Sequence, residues 1–258
     1  MHPISMRRRL PHLAPGGVHA GGMQVAFADR FVAFGTSHVV MLAVFVVGIG
    51  VVIWWGRHHA DTDSEHMRRR IFAVTVGVLA GVLQIYQFTP GDYNLNTSLP
   101  LQLCDIAVVA AVVALWTKSP RATAFTYFVG LTLTIQAILT PALDSAFPDL
   151  RFIAFWGMHL GIVWAGCYLT WGLGWRPTWR LYGFAVAATA LWAVSVTAFN
   201  YVVGTNYGYL MRKPSTASVL DLLGPWPWYV VAEVVIISLF WLIVMTLPWE
   251  VAARRQRR

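Results

Sequence analysis

The residues of this chain that could take part in a reaction lie inside apolar segments. The main candidate is a cysteine next to a carboxylate. Cys104 and Asp105 lie near the start of the apolar run SLPLQLCDIAVVAAVVALW, residues 98–116. Pro100 is typical of a first helical turn, because the N–H groups there have no intrahelical partner. We therefore expect Cys104 about one turn inside a helix N-terminus, where backbone N–H groups and the helix dipole favour a thiolate. Asp105 opposes the thiolate with its own negative charge.

Two histidines and a glutamate occur alone in other apolar segments, namely His38, His159 and Glu233. An ionisable residue inside a membrane is costly, so each is a candidate functional residue. A thiolate attacks an ester to form a thioester, and a nearby histidine moves the proton. These residue types therefore predict Cys104 as nucleophile, His159 as the preferred base and His38 as the second choice. Asp105 or Glu233 would orient an imidazole, as the third member of a triad does.

Uncharged polar residues fall at a similar depth in the apolar segments. At about 1.5 Å per residue, all lie within roughly two turns of the same membrane surface. Some of them, such as Gln84, Gln136 and Asn200, are also typical of hydrogen bonds between packed transmembrane helices. The shared depth predicts a polar cavity in the outer half of a helix bundle. The candidate substrate-binding residues are Gln102, Gln84, Gln136, Asn200, Asn206, Tyr207, Lys213 and Glu233.

Composition places the chain among membrane proteins. Hydrophobic residues make up 57% and charged residues 12%, which is too apolar for an ordinary soluble domain. The net charge of +8 comes from Lys and Arg in short loops and at the termini, so we expect no nucleic acid partner. Cys104 and Cys167 both lie in apolar segments, so no disulfide or CxxC metal motif is predicted. The chain is expected to use no cofactor and no metal.

The elements that must position these residues are predicted to be transmembrane helices. The fold class is all-α, a polytopic membrane protein with a bundle of about seven transmembrane helices. The expected domains are a disordered basic tail over 1–30, the bundle over 31–250 and a basic tail over 251–258. Met23 is an alternative start. The predicted spans are 31–55, 71–88, 98–116, 122–140, 152–171, 181–203 and a last span that begins at Pro225.

The basic residues also predict an orientation. Seven spans place the termini on opposite sides, with twelve of the Lys and Arg residues on the side of the C-terminus and seven on the other. By the positive-inside rule, the C-terminus is expected in the cytoplasm and the N-terminus outside the cell membrane.

Several strings resemble the YwaF-like bacterial integral membrane proteins, which are similar to an animal transmembrane acyltransferase that remodels ether phospholipids. The resemblance implies a cysteine acyl carrier at Cys104 with histidine assistance, acting on the acyl chains of membrane phospholipids. Gln102 stands where the family pattern usually has histidine. The strings are LPLQLCD at 99–105, Ser37 with His38, TPALDSAFPDL at 140–150, NYGYLMRKP at 206–214 and LGPWPWY at 223–229.

The expected function is therefore a membrane acyltransferase or lipid-ester hydrolase, and three alternatives stay open. The polar layer would also suit a transporter for lipids or small solutes, although no inverted repeat or pair of broken helices is evident. His38, Cys104, His159 and a carboxylate would suit a metal such as zinc, but their spacing is not diagnostic. The third alternative is a purely structural membrane protein.

Overall fold

The computed structural model describes residues 30–60, 62, 64–214 and 218–256, and these contain helices and no strand. Most of the predicted N-terminal tail and the last two arginines lie outside the described residues. The helices are α1 (Thr36–His59), α2 (Glu65–Gln87), α3 (Leu103–Thr117), α4 (Pro120–Gly130), α5 (Leu133–Leu139), α6 (Leu150–Cys167), α7 (Trp179–Val203), α8 (Trp228–Phe240) and α9 (Leu247–Gln256).

These helices confirm the predicted all-α membrane fold. In the part of the chain that the structure describes, six spans are long and apolar enough to cross a membrane, and the shorter apolar helix α3 makes a seventh. Two spans are composite within the described ranges. The helices α4 and α5 together form one span, and α8 runs through a π-helical segment, Trp241–Thr246, into α9. A π-helical turn, Tyr168–Gly172, likewise extends α6.

The core of the bundle is α6. It packs against each of the first five helices, and most of its residues are buried. Small residues let neighbouring backbones approach closely in membrane bundles. At one such contact, a Cβ added to Gly56 of α1 would lie 2.6 Å from the Cα of Gly172, so only glycine fits there.

The third helix begins at Leu103 rather than at residue 98, where the apolar run starts. The residues before it form turns and bond to a neighbouring loop instead, as Leu99 does when its N–H donates to the Tyr207 hydroxyl at 3.0 Å. With 15 residues, α3 is about 22 Å long. It is thus shorter than the hydrocarbon core of about 30 Å, and its N-terminus opens inside the bundle.

The fourth predicted span is broken where one continuous helix was expected. At Leu131 and Thr132 the backbone leaves the helical conformation, and α5 begins only at Leu133. The Thr132 hydroxyl compensates by donating to the Phe128 carbonyl at 2.5 Å and accepting from Trp241 Nε1 at 3.1 Å. A hydrogen bond therefore connects the break to the π-helical segment that follows α8.

A buried ionic cluster lies where α2 begins and α3 ends. Glu65 accepts from Arg69 at 2.9 Å and pairs with Lys118 Nζ at 2.9 Å. Arg69 also donates to the Leu115 carbonyl near the end of α3. Glu65 and Arg69 are each 6% exposed, so the pair is satisfied within the protein rather than by water.

Candidate functional site

A cavity of about 470 Å³ lies at the end of the bundle where α2 ends and α3 begins. Five helices each present residues three or four positions apart, which lie on one helical face. The volume is within the range of about 300–1,000 Å³ typical of small-molecule sites. These facing sets are Leu83 and Gln87; Leu133, Gln136 and Ala137; Phe155, Met158 and His159; Thr189, Trp192 and Ala193; and Val230, Glu233, Val234 and Ile237.

The first turn of α3 supplies the cysteine. Cys104 is the second helical residue and lines the cavity with Gln102 and Asp105. The Asp105 carboxylate accepts the Gln102 backbone N–H at 2.9 Å through Oδ2, and the Cys104 thiol donates to its Oδ1 at 3.9 Å. Asp105 thus caps the helix and holds the thiol at the same time.

His159 faces the same cavity from α6 and is 3% exposed. Its Nδ1 lies 2.7 Å from the Phe155 carbonyl oxygen, which only accepts, so Nδ1 carries the proton. In the neutral ring Nε2 then keeps its lone pair. No described residue forms a hydrogen bond with Nε2, which leaves it available to accept a proton from a ligand.

Further polar groups at the cavity have no hydrogen-bond partner among the described residues. The half-buried Glu233 makes no hydrogen bond or ion pair with them. The hydroxyls of Thr134, Thr189 and Ser218 are buried and unpaired as well. Buried polar groups are nearly always hydrogen-bonded, so each unpaired group needs an explanation. Their common position on one cavity points to a polar ligand.

A loop that follows α7 covers one side of the cavity; we call residues 206–214 the strap. The strap is bonded to the segment before α3, since Gly208 N–H donates to Gln102 Oε1 at 2.9 Å. The Tyr207 hydroxyl donates to the Leu95 carbonyl at 2.6 Å. Burial raises the pKa of the Tyr207 phenol, so it stays protonated for this bond. The strings LPLQLCD and NYGYLMRKP therefore form one unit at the site.

Two asparagines shape the strap. Asn200, at the end of α7, donates to the Tyr207 carbonyl at 2.9 Å and accepts its N–H at 2.9 Å. Asn206 accepts the N–H groups of Met211 and Arg212 at 3.1 and 2.9 Å. Both amides are used within the protein, and neither lines the cavity.

His38 lies apart from the cavity. It is fully buried against the rings of Phe31, Phe34 and Trp156. Its Nδ1 accepts the Phe34 N–H at 2.8 Å, and its Nε2 donates to the Ile138 carbonyl at 2.9 Å. Both ring nitrogens are occupied, so His38 ties α1 to the end of α5.

Two other candidate residues lie at the edge of the site. Gln84 donates to the Ser98 carbonyl at 2.7 Å and thereby holds the loop before α3. Lys213 has its Nζ 4.0 Å from Asp221 Oδ1 and 5.6 Å from the centre of the Tyr229 ring. Its neighbour Pro214 lines the cavity, so Lys213 stands at the rim.

The structure thus brings together six of the residues that the sequence singled out and leaves six outside the cavity lining. Inside are Cys104, Asp105, His159, Gln102, Gln136 and Glu233, and outside are His38, Gln84, Asn200, Asn206, Tyr207 and Lys213.

Sequence reasoning missed several lining residues. Phe155 precedes His159 by four positions and Met158 by three, so helical spacing could have placed Phe155 beside both of them. Thr134 follows the break between α4 and α5, which the sequence did not reveal. Nothing in the sequence distinguishes Trp192 and Thr189 from the other residues of an apolar helix.

Aromatic rings pack closely elsewhere in the bundle. Phe128 and Trp241 pack with ring centroids 5.2 Å apart, and Tyr127 packs on Phe128 at 5.1 Å. Among the described residues no group of three or more His, Cys, Asp or Glu side chains is arranged to hold a metal ion.

The comparisons with known proteins identify a family. A family model, that of the TMEM164 family, matches residues 33–245. The match covers α1 to the π-helical segment after α8, and with them the whole cavity. No curated protein and no solved structure matches the chain.

Proposed function

This chain belongs to the TMEM164 family, and from that premise we propose that it is a membrane enzyme that moves a lipid acyl group through a thioester on Cys104. One observation carries the proposal: Cys104 and His159 line the same cavity, whose walls are mostly apolar. The resemblance to YwaF-like proteins, and through them to a phospholipid acyltransferase, supports the same chemistry.

The reaction has two half-reactions. The Cys104 sulfur attacks the carbonyl carbon of a lipid ester, the thiol proton passes to His159 Nε2, and the ester C–O bond breaks. The departing alkoxide takes the proton from His159, which leaves a thioester on the enzyme. In the second half-reaction a lipid hydroxyl attacks the thioester while His159 accepts its proton and returns it to the sulfur. Water in place of the lipid hydroxyl gives hydrolysis.

The protein supplies orientation for these steps. Asp105 holds the thiol at the start of α3, where the helix dipole favours negative charge on sulfur. Because Phe155 fixes the proton on Nδ1, His159 presents its basic nitrogen without tautomer exchange. Gln102, which replaces the histidine usual in YwaF-like proteins, accepts the Gly208 N–H of the strap, and His159 is therefore the base.

The lining of the cavity supports a membrane lipid as the substrate. Leu133, Met158, Val234 and Ile237 offer apolar surface to an acyl chain, and Gln102, Cys104 and Asp105 add polar groups at the start of α3. A lining with both kinds of surface suits a lipid ester.

The metal and transport alternatives receive less support. A metal site would need His38 beside Cys104 and His159, and His38 is bonded elsewhere. A transport path would have to pass the packed rings of Phe128 and Trp241.

The test is turnover of a phospholipid with a labelled acyl chain by purified protein. We expect a hydroxylamine-sensitive acyl label on Cys104, and Cys104→Ser should lose both label and turnover while its thermal stability stays within a few degrees. Serine is close in size but much harder to deprotonate. Cys167→Ser, which alters the buried cysteine outside the cavity, is the control and should keep full turnover. Full turnover by a folded Cys104→Ser protein, with no label in the parent, would contradict the thioester.

A further inference from the structure

Acyl transfer at Cys104 places a negatively charged oxygen in the cavity, because attack on an ester carbonyl moves the C=O electron pair onto that oxygen. Enzymes stabilise such an oxyanion with hydrogen-bond donors that are already in position, and this is usually their largest contribution to the rate. His159 passes its proton to the departing alkoxide, and the Asp105 carboxylate accepts hydrogen bonds, so neither is the donor. The reaction therefore needs a further donor at the cavity.

Tyr209 of the strap brings a phenol to the cavity beside the start of α3. It is one of the lining residues and is 36% exposed, so a bound molecule can reach it. The preceding residue, Gly208, donates its N–H to Gln102 Oε1 at 2.9 Å, and Cys104 follows Gln102 by two positions. The strap thus holds Tyr209 next to the segment that carries the cysteine.

The hydroxyl of Tyr209 has no hydrogen-bond partner in the described part of the chain. The neighbouring tyrosines differ, since Tyr207 and Tyr229 both donate their hydroxyls to backbone carbonyls. Burial raises the pKa of the Tyr209 phenol, and negative charge on Cys104 raises it further. The phenol therefore stays protonated, and it lies close enough to the sulfur for their charges to interact.

The backbone of Tyr209 is fixed in a conformation that a bulky residue rarely adopts. Its φ is +54°, in the left-handed region. Its N–H donates to the Asn206 carbonyl at 3.2 Å, and its own carbonyl accepts the Tyr229 hydroxyl. A residue in such a conformation costs stability, persists only where its surroundings hold it, and is common at active sites. The strap thus keeps a tyrosine at the cavity against its backbone preference.

We infer that the Tyr209 hydroxyl donates a hydrogen bond to the oxyanion that forms when Cys104 attacks the ester carbonyl. The C–S bond forms, the C=O electron pair moves to oxygen, and the phenol keeps its own proton. When the intermediate collapses, the C=O bond forms again and the alkoxide leaves. The same donor acts in the second half-reaction, where a hydroxyl attacks the thioester. The inference rests on the proposed function, to which it adds a catalytic residue.

The test is Tyr209→Phe, which removes only the hydroxyl. The kcat for transfer from a labelled phospholipid should fall by about 10²- to 10³-fold with little change in KM, as when one oxyanion donor is removed. Thermal unfolding should be nearly unchanged. Tyr201→Phe is the matched control, because Tyr201 lies on α7 outside the cavity lining and is 80% exposed. This control should keep full turnover.

Alkylation of Cys104 by iodoacetamide separates the oxyanion role from an effect on the thiol. The sulfur displaces iodide directly from carbon, so this reaction needs the thiolate but forms no oxyanion. Its rate, followed by mass spectrometry of the Cys104 peptide, should be the same in the parent and in Tyr209→Phe. An equal slowing of alkylation and turnover would mean that Tyr209 activates the sulfur instead, and would overturn the inference.

The outcomes for Tyr209 and for Cys104 can be told apart. If the parent turns over lipid and carries the acyl label, full turnover by a folded Tyr209→Phe protein overturns the oxyanion role alone. Failure of Tyr209→Phe to fold would reveal a structural partner for the hydroxyl and overturn that role as well. If the parent neither turns over lipid nor carries a label, the thioester proposal fails and the oxyanion role fails with it.

Discussion

His38 and His159 differ in how many of their ring nitrogens are occupied. His159 uses only Nδ1, whereas His38 uses both nitrogens, which bond a backbone group just before α1 and one in α5. A proton-transfer group needs one free nitrogen. We therefore propose a chemical role for His159 and a structural role for His38.

Replacing each histidine with alanine should separate these roles. His159→Ala removes the base and should lower lipid turnover by about 10²- to 10⁴-fold with the fold retained. His38→Ala should leave turnover per folded molecule nearly unchanged but reduce stability, by roughly 1–3 kcal/mol for each backbone group left unpaired. The measurements are turnover and thermal unfolding of the same preparations. The reverse pattern, with turnover lost in folded His38→Ala alone, would contradict the assignment.

At this scale the sequence singled out candidate residues, but it did not reveal which of them share the cavity. Cys104, His159 and Glu233 are conspicuous because ionisable groups are rare in apolar runs. His38 has the same signature, and its separation from the site depends on where α5 ends, which no local pattern encodes. Likewise, the sequence predicted Asn200 and Asn206 as substrate-binding residues. Their partners are backbone groups of the strap, and only the fold brings these groups next to them.

At the scale of elements, the N-terminus of α3 is positioned by the strap as well as by its own Asp105 cap. Gly208 supplies the contact to Gln102 from a backbone with φ of +67°, a conformation that favours glycine. A Cβ there would also lie 2.5 Å from the Trp192 ring, which lines the cavity. The strap is therefore packed against the wall of the site.

Gly208→Ala should reduce both stability and turnover, because it adds a clash with Trp192 to the cost of the positive φ, about 1–2 kcal/mol. Gly204→Ala is the matched control, since Gly204 has a φ of +79° but open space around its Cβ position. It should lose only stability. Lipid turnover and thermal unfolding are measured for both variants. Equal losses of turnover in the two variants would argue against a role for the strap in the site.

A second element-scale prediction concerns the buried ionic cluster that joins α2 and α3. Glu65→Gln leaves the buried Arg69 without its carboxylate and should cost about 3–5 kcal/mol. Lys118→Gln removes a partner whose side chain is half exposed and should cost less than about 1 kcal/mol. Unfolding in detergent measures both. A small loss for Glu65→Gln would mean that water or detergent satisfies Arg69 when its partner is gone.

The positions of the spans were largely predictable, because a helix that crosses a membrane must be apolar over its length. The interruption at Leu131 and Thr132 was not, since both residues are compatible with a helix and the break is held by Trp241, far away in sequence. The late start of α3 was hidden for a similar reason. Its preceding turns depend on bonds to the strap, another distant segment.

At the scale of the whole molecule, the cavity and the ionic cluster lie at opposite ends of the bundle. The basic loops and the C-terminal helix lie at the end of the ionic cluster. We propose that this end faces the cytoplasm, by the positive-inside rule, and that the cavity lies in the outer half of the cell membrane.

The orientation predicts the behaviour of reporter fusions. A reporter that is active only in the cytoplasm, fused after Arg258, should be active, and one that needs export should not. A fusion within the exposed turn at Gly91, at the cavity end, should behave in the opposite way. Activity of an export-dependent reporter after Arg258 would invert the proposed topology and place the cavity in the inner half.

The helix α8 forms one wall of the cavity and lies at the surface of the bundle. One face of this helix lines the cavity, and the opposite face, with Val231, Val235 and Ile236, is exposed at the surface of the bundle. A single helix thus separates the bound molecule from the bilayer. For the proposed lipid substrate, occupancy should therefore follow the mole fraction of that lipid in its leaflet rather than its amount per volume of water, and diluting the membrane with inert lipid should lower turnover as effectively as removing substrate.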